Sequence, residues 1–288
     1  MLIQQLINGI TIGAVYALIA LGLTMVYGIM RILDIANAAA YTLGAYVGLA
    51  AYLRTGSLLV ALGAGIVAAA ALGLFLHRVV YQPIATSDPV VPLVAAIGLF
   101  TALGDAFRLI AGPYTHTFPV TLPIGQQHFW GAAVAPSQVT IVLVTAALFA
   151  VLAYVLTRTR LGLAWRATSQ DMETAAAMGI NVRRVSAFAF MLGYAFAAIA
   201  GILVGIHYNQ VYPAMGEMPS YKMLAIVVLG GLGNPVGAVL ASLLIGMAET
   251  VVAGYLGSFL PSDAVAFIFL IGVLLLRPQG LLGQREAL

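Results

Sequence analysis

Eight apolar stretches separated by short polar breaks make up most of this chain, lying near residues 6–28, 35–53, 57–76, 90–112, 137–157, 185–206, 220–257 and 262–276. A helix rises about 1.5 Å per residue, so roughly 20 apolar residues cross a hydrocarbon core about 30 Å thick. Most of these stretches have that length, which predicts an all-α, polytopic integral membrane protein. The seventh is long enough for two crossings. It contains Gly230-Gly231-Leu232-Gly233-Asn234-Pro235, where glycine loosens the backbone and proline removes a donor. The helix must break there, giving either two spans or a re-entrant half-helix followed by a span. Two spans are the preferred outcome, for about 8–9 spanning segments in a single membrane domain, 1–288, with no linker or visible repeat.

Between the fifth and sixth stretches lies a polar island with Arg158, Arg160, Arg166, Asp171, Glu173, Arg183 and Arg184. Arginines beside spanning helices stay on the cytoplasmic side, so this island, 158–184, is expected to be a cytoplasmic loop. Counting outward from it puts Arg31 and the 77–88 connection inside, and the N-terminus and Gly112–Pro136 outside. Nine crossings also place Arg277 and Arg285 inside, while Arg54 and Lys222 fall on the wrong side. Within the island, Thr168-Ser169-Gln170-Asp171 has the form of a capping box, and Met172, Ala176 and Gly179 or Ile180 recur along one face. A helix of about ten residues over 169–180 is expected, with Gly179 as its C-terminal cap. So short a helix is marginal alone, so it suits either docking into a partner's groove or a plain solvated loop.

Composition narrows the classes further. Hydrophobic residues make up 62% of the chain, charged residues only 7%, and mean hydropathy is +1.06, which leaves too little polar surface for a soluble globule. The first charge is Arg31, so residues 1–30 read as a retained span rather than a signal peptide. There is no cysteine, which excludes disulfides and thiolate metal sites. The net charge of +3 reflects the loop arginines, and no nucleic-acid partner is implied.

Glu173-Thr-Ala-Ala-Ala-Met-Gly179-Ile180-Asn181 resembles the coupling motif of permease subunits of ATP-binding-cassette importers. The preceding Gly162-Leu-Ala-Trp-Arg166-Ala-Thr-Ser-Gln-Asp171 is similar to the loop of the branched-chain amino acid, LivH-type, permeases, and three further stretches agree. These are Gly44-Ala-Tyr-Val, Val228-Leu-Gly-Gly-Leu-Gly-Asn-Pro-Val-Gly-Ala238 and Arg277-Pro-Gln-Gly-Leu-Leu-Gly283. The likeness runs nearly end to end, and the short N-terminus favours the LivH over the LivM type. It departs at Leu33-Asp34-Ile35-Ala36-Asn37-Ala38-Ala39, where the family has an Asn and then a His-Gly pair. The resemblance implies an importer in a bacterial cytoplasmic membrane. Its other parts would be a second permease of LivM type, two cytoplasmic ATPase subunits and an extracytoplasmic binding protein. The chain has no GxxxxGK[ST] segment, so ATP and Mg would be bound by the partner ATPases and no cofactor by this chain. Arg166, Asp171, Glu173, Ala176 and Gly179 would carry the coupling. Branched-chain amino acids are the first substrate choice, with urea or short amides as alternatives.

Polar residues inside apolar stretches are the candidates for a substrate path, because they are costly in lipid and face a bundle interior or a cavity. They are Asn8, Asp34, Asn37 and Glu249, together with Asp105 and Arg108, whose spacing suits a structural ion pair. Glu249 lies inside its apolar stretch with no basic residue near it in the sequence. Asn8 and Asn37 equally suit interhelical hydrogen bonds, and the pairs Gly9/Gly13, Gly44/Gly48 and Gly201/Gly205 suit close helix packing. His116, His128 and His207 have no metal-ligand spacing, and Phe129 and Trp130 suit an interfacial anchor against membrane lipid. An ion-coupled transporter or channel is the rival class, its coupling site formed by the buried carboxylates near the broken helix. A membrane enzyme finds no nucleophile, base and orienter set.

Overall fold

The computed structural model describes residues 2–120, 127–129, 132–256, 262–277 and 280–282. Trp130, Gln279, Gly283 and Arg285 lie outside them, as does the side chain of His128. Among the described residues the chain forms eleven α-helices: α1 Leu2–Met30, α2 Asn37–Thr55, α3 Leu58–Leu76, α4 Val90–Ala111, α5 Pro136–Arg158, α6 Arg160–Gln170, α7 Met172–Ala177, α8 Val182–Tyr208, α9 Glu217–Gly230, α10 Pro235–Leu256 and α11 Ser262–Leu276. Six of them, α1, α3, α4, α5, α8 and α10, are long and apolar enough to cross a membrane. A small antiparallel hairpin, β1 Gln127–Phe129 and β2 Ala132–Val134, and an isolated bridge between His116 and Val211 interrupt the helices among the described residues. The Gln4 amide holds the hairpin to the start of α1 by bonds of 3.1 Å in both directions with the backbone of Ala133.

Helices α1, α2, α8 and α10 form the centre, and small residues set how closely they approach. A Cβ on Gly44 would lie 2.5 Å from Ala198 of α8, and one on Gly13 would lie 2.9 Å from the Leu243 backbone of α10. Gly201 presses on the Tyr41 carbonyl, leaving no room for a side chain. The small-residue pairs are therefore contact surfaces, as small-xxx-small spacing implies. Helix α3 runs past its expected end through a π turn, His77–Tyr81, which turns the Tyr81 ring into the interior, where it is fully buried. The glycine-rich segment does break its helix. The Asn234 side chain accepts from the N–H groups of Val236 and Gly237, both at 3.1 Å, and Pro235 opens α10. Gly231 and Gly233 take positive φ of 102° and 79°, which a side chain would strain.

Candidate functional site

The polar island folds as two helices rather than one. Thr159 caps α6 by accepting from the Gly162 N–H at 3.1 Å. Asp171, not Thr168, then caps α7, with its carboxylate accepting from the N–H groups of Glu173 at 2.8 Å and Thr174 at 3.1 Å and from the Thr174 hydroxyl at 2.7 Å. Thr168 is buried and bonds back to the Ala164 carbonyl. The expected ten-residue helix over 169–180 is thus corrected to six residues, because Asp171 sits in extended backbone and so ends α6. Those hydrogen bonds, the Thr174 hydroxyl first, hold the Asp171 carboxyl below its ordinary pKa. Gly179 takes φ +85° just past α7 and closes it. The seven charged residues of the island are exposed, as are Ala176 and Gly179, while Ala175 turns inward.

One residue that sequence reasoning passed over fixes this loop to the bundle. Trp165 is 7% exposed, donates its indole N–H to the Met25 carbonyl at 3.3 Å and lies so close to Gly28 that a Cβ there would be 2.6 Å from the ring. A Cβ on Gly233 would lie 3.4 Å from Gly28 as well. One end of α1 therefore gathers the loop and the break between α9 and α10. The single indole inside an otherwise polar segment was the available signal.

The candidates for a path do not form one site. Asp34, in the turn after α1, is fully buried and accepts from the hydroxyls of Tyr81 at 2.5 Å and Tyr194 at 2.8 Å. It ties that turn to α3 and α8. Asn37 is fully buried too, and neither end of its amide has a hydrogen-bond partner among the described residues. At the other end of α1, Asn8 accepts from Gln138 of α5 at 2.9 Å and lines a cavity of about 380 Å³ with Gln5, Thr11, His207 and Thr250. Asp105 and Arg108 form the ion pair their spacing suggests, at 3.3 Å, and Arg108 also reaches Glu217 at 2.9 Å on the exposed surface.

Glu249 requires a correction. Its basic partner is Lys222 of α9, at 3.0 Å, and Tyr16 of α1 donates to the same carboxylate oxygen at 2.9 Å. Lys222 also donates to the Tyr16 hydroxyl at 2.7 Å. Lys222 is only 8% exposed, so it is no loop residue on the wrong side of a membrane. Neutralised by Glu249 inside the bundle, it stops acting as a topology marker. Lys222 and Tyr16 line a second cavity of about 320 Å³, which shares Thr11, Ile12, His207 and Tyr208 with the first.

A helical bundle with interior charges, cavities bounded by several helices and a loop held outside it has the form of a multi-pass membrane permease. Residues 5–276 match the family model "Branched-chain amino acid transport system / permease component", and the chain belongs to that family. It is 36% identical to the high-affinity branched-chain amino acid transport system permease protein BraD of Pseudomonas aeruginosa and 37% identical to LivH of Escherichia coli K12. Both alignments cover 99% of this chain and 96% of the relative. LivM of Escherichia coli K12 is 32% identical over 54% of this chain and 37% of its own length. No solved structure matches the chain.

Proposed function

We propose that this chain carries branched-chain amino acids across a bacterial cytoplasmic membrane as one permease of a pair, the other of LivM type. Two ATPase subunits would drive it, and an extracytoplasmic binding protein would supply it. ATP and Mg are held by the ATPases, and α7 is the element they push. Arg166, Asp171, Glu173, Ala176 and Gly179 lie on or beside that element. The observation that carries this reading is the exposed α6–α7 loop, whose Trp165 indole is anchored on α1. Displacing a packed element between two arrangements is what conformational coupling requires. Counting α2, α9 and α11 as crossings beside the six long apolar helices gives nine spans. The 280–282 segment then lies on the ATPase side, consistent with its backbone bonds to Leu229 and Gly230 beside the α9–α10 break.

The experiment is uptake of labelled leucine, isoleucine, valine, urea and acetamide by cells expressing the full transporter, before and after ATP depletion and separately after collapse of ion gradients. Loss with ATP and survival without the gradients is expected, with leucine, isoleucine and valine preferred. Gradient dependence would point to ion-coupled transport instead, and preference for urea would replace the substrate. Ala176→Arg should abolish uptake with insertion intact, and normal uptake by a well-expressed variant would remove α7 from the coupling.

A further inference from the structure

We infer that the 320 Å³ cavity is a substrate subsite within the permease, and that Lys222 is the group in it that recognises the carboxylate of a small apolar amino acid. This rests on the transport reading above and adds where the solute is held. A cation inside a membrane protein is expensive unless it is paired or functional. A purely structural pair would be sealed from any cavity. Here the pair is lopsided: Lys222 and Tyr16 form cavity wall, while Glu249, 3% exposed, stands behind them. Glu249 is then an internal stand-in that holds the Lys222 side chain in place until a substrate carboxylate takes over.

The rest of the wall fits the rest of such a solute. Val15, Ile141, Val204 and Met215 supply an aliphatic surface, and Tyr41 and Tyr212 add aromatic groups of the kind that attract an ammonium. The volume is at the small end for ligand pockets, which are mostly apolar with a few convergent polar groups. Helix α9 carries Lys222, and α9 ends at the break that packs beside Gly28. The subsite and the driven end of the bundle thus share one short helix.

The test uses the complete transporter, with labelled leucine uptake and co-purification of the partner subunits measured for each variant. Lys222→Met is expected to lower leucine uptake about ten- to a hundredfold, the range for loss of a hydrogen bond to a charged group. Glu249→Met should cost less, and Lys222→Met combined with Glu249→Met should stay as low as Lys222→Met alone. Recovery of uptake in the double variant, with both single changes equally harmful, would show a structural pair and overturn the inference. Val204→Phe guards against variants that fail to assemble. It narrows the cavity and should lower leucine uptake several-fold relative to valine, and an unchanged ratio would also overturn the inference. Wild-type uptake of none of the three amino acids would overturn the transport reading and the inference together. Wild-type leucine uptake with a recovered double variant would overturn the inference alone.

Discussion

Helices α1 and α4 have nearly equal hydropathy, 2.0 and 1.9 over their most apolar 18 residues, yet 83% of that window is buried in α1 and 11% in α4. Helices α8 and α5 repeat the contrast, at 72% and 17%. Lipid is as apolar as leucine, so apolarity alone cannot say whether a membrane helix faces its neighbours or the bilayer. What separates the two groups is the small and polar residues. Helix α1 presents Gly9, Gly13 and Gly22 to α10 and α8 and carries Asn8 and Tyr16, whereas Gly98 and Gly104 of α4 have nothing within 4 Å of an added Cβ. The interior is built where backbones meet and polar groups find partners.

The sharpest way to break that comparison is Gly201→Leu, which forces a side chain into the Tyr41 backbone. Overpacking usually costs about 1–3 kcal/mol, and a backbone collision belongs at or beyond the upper end. The variant should lose its monodisperse peak or drop sharply in thermal midpoint in detergent, and wild-type behaviour would mean that α2 and α8 can separate freely. Next comes Trp165→Ala, expected to cost about 3 kcal/mol locally. It should release the α6–α7 loop, seen as faster proteolysis between residues 158 and 184 and loss of ATP-driven uptake.

Asp171→Ala acts on a smaller scale, removing the cap between α6 and α7, with faster amide exchange at Glu173 and Thr174 as the measurement. The pH sign follows from the lowered carboxyl pKa. The cap's contribution is complete above the ordinary aspartate value and is lost only as pH falls through the depressed one. Protection of these two amides, relative to their intrinsic exchange rates, should therefore be constant near neutrality and fall in acid; loss of protection near neutrality would contradict the cap. The smallest effect belongs to Gly98→Leu, which should change the thermal midpoint by less than the equivalent of about 0.5 kcal/mol. A large loss there would mean that α4 is covered by another subunit rather than by lipid.

Helix positions, the exposed polar island and the break at Gly231–Asn234 were legible in the sequence, because each is written in neighbouring residues. The partners of the interior charges were not. Lys222 and Glu249 lie in different helices on either side of a break, and Tyr81 reaches Asp34 only because a π turn redirects it. Asp34 is a path candidate from sequence, but the two tyrosines that join it to the end of α3 and to α8 are far away in the chain. The cap was misassigned because Thr168 and Asp171 are both capping types three residues apart, and only backbone geometry shows which one leaves the helix. Trp165 was visible as an unusual residue, but its target on α1 lies 140 residues earlier.

The end of α9 is finished by a part of the chain made much later. The Leu281 and Leu282 N–H groups bond to the carbonyls of Leu229 and Gly230 at 2.8 and 3.2 Å, and the Asn234 amide reaches the Leu282 carbonyl 48 residues on. Synthesis proceeds from the N-terminus. A ribosome that has just released α10 therefore holds a chain whose α9–α10 turn is still open. A copy ending there would have helices α1 to α10 without this seal.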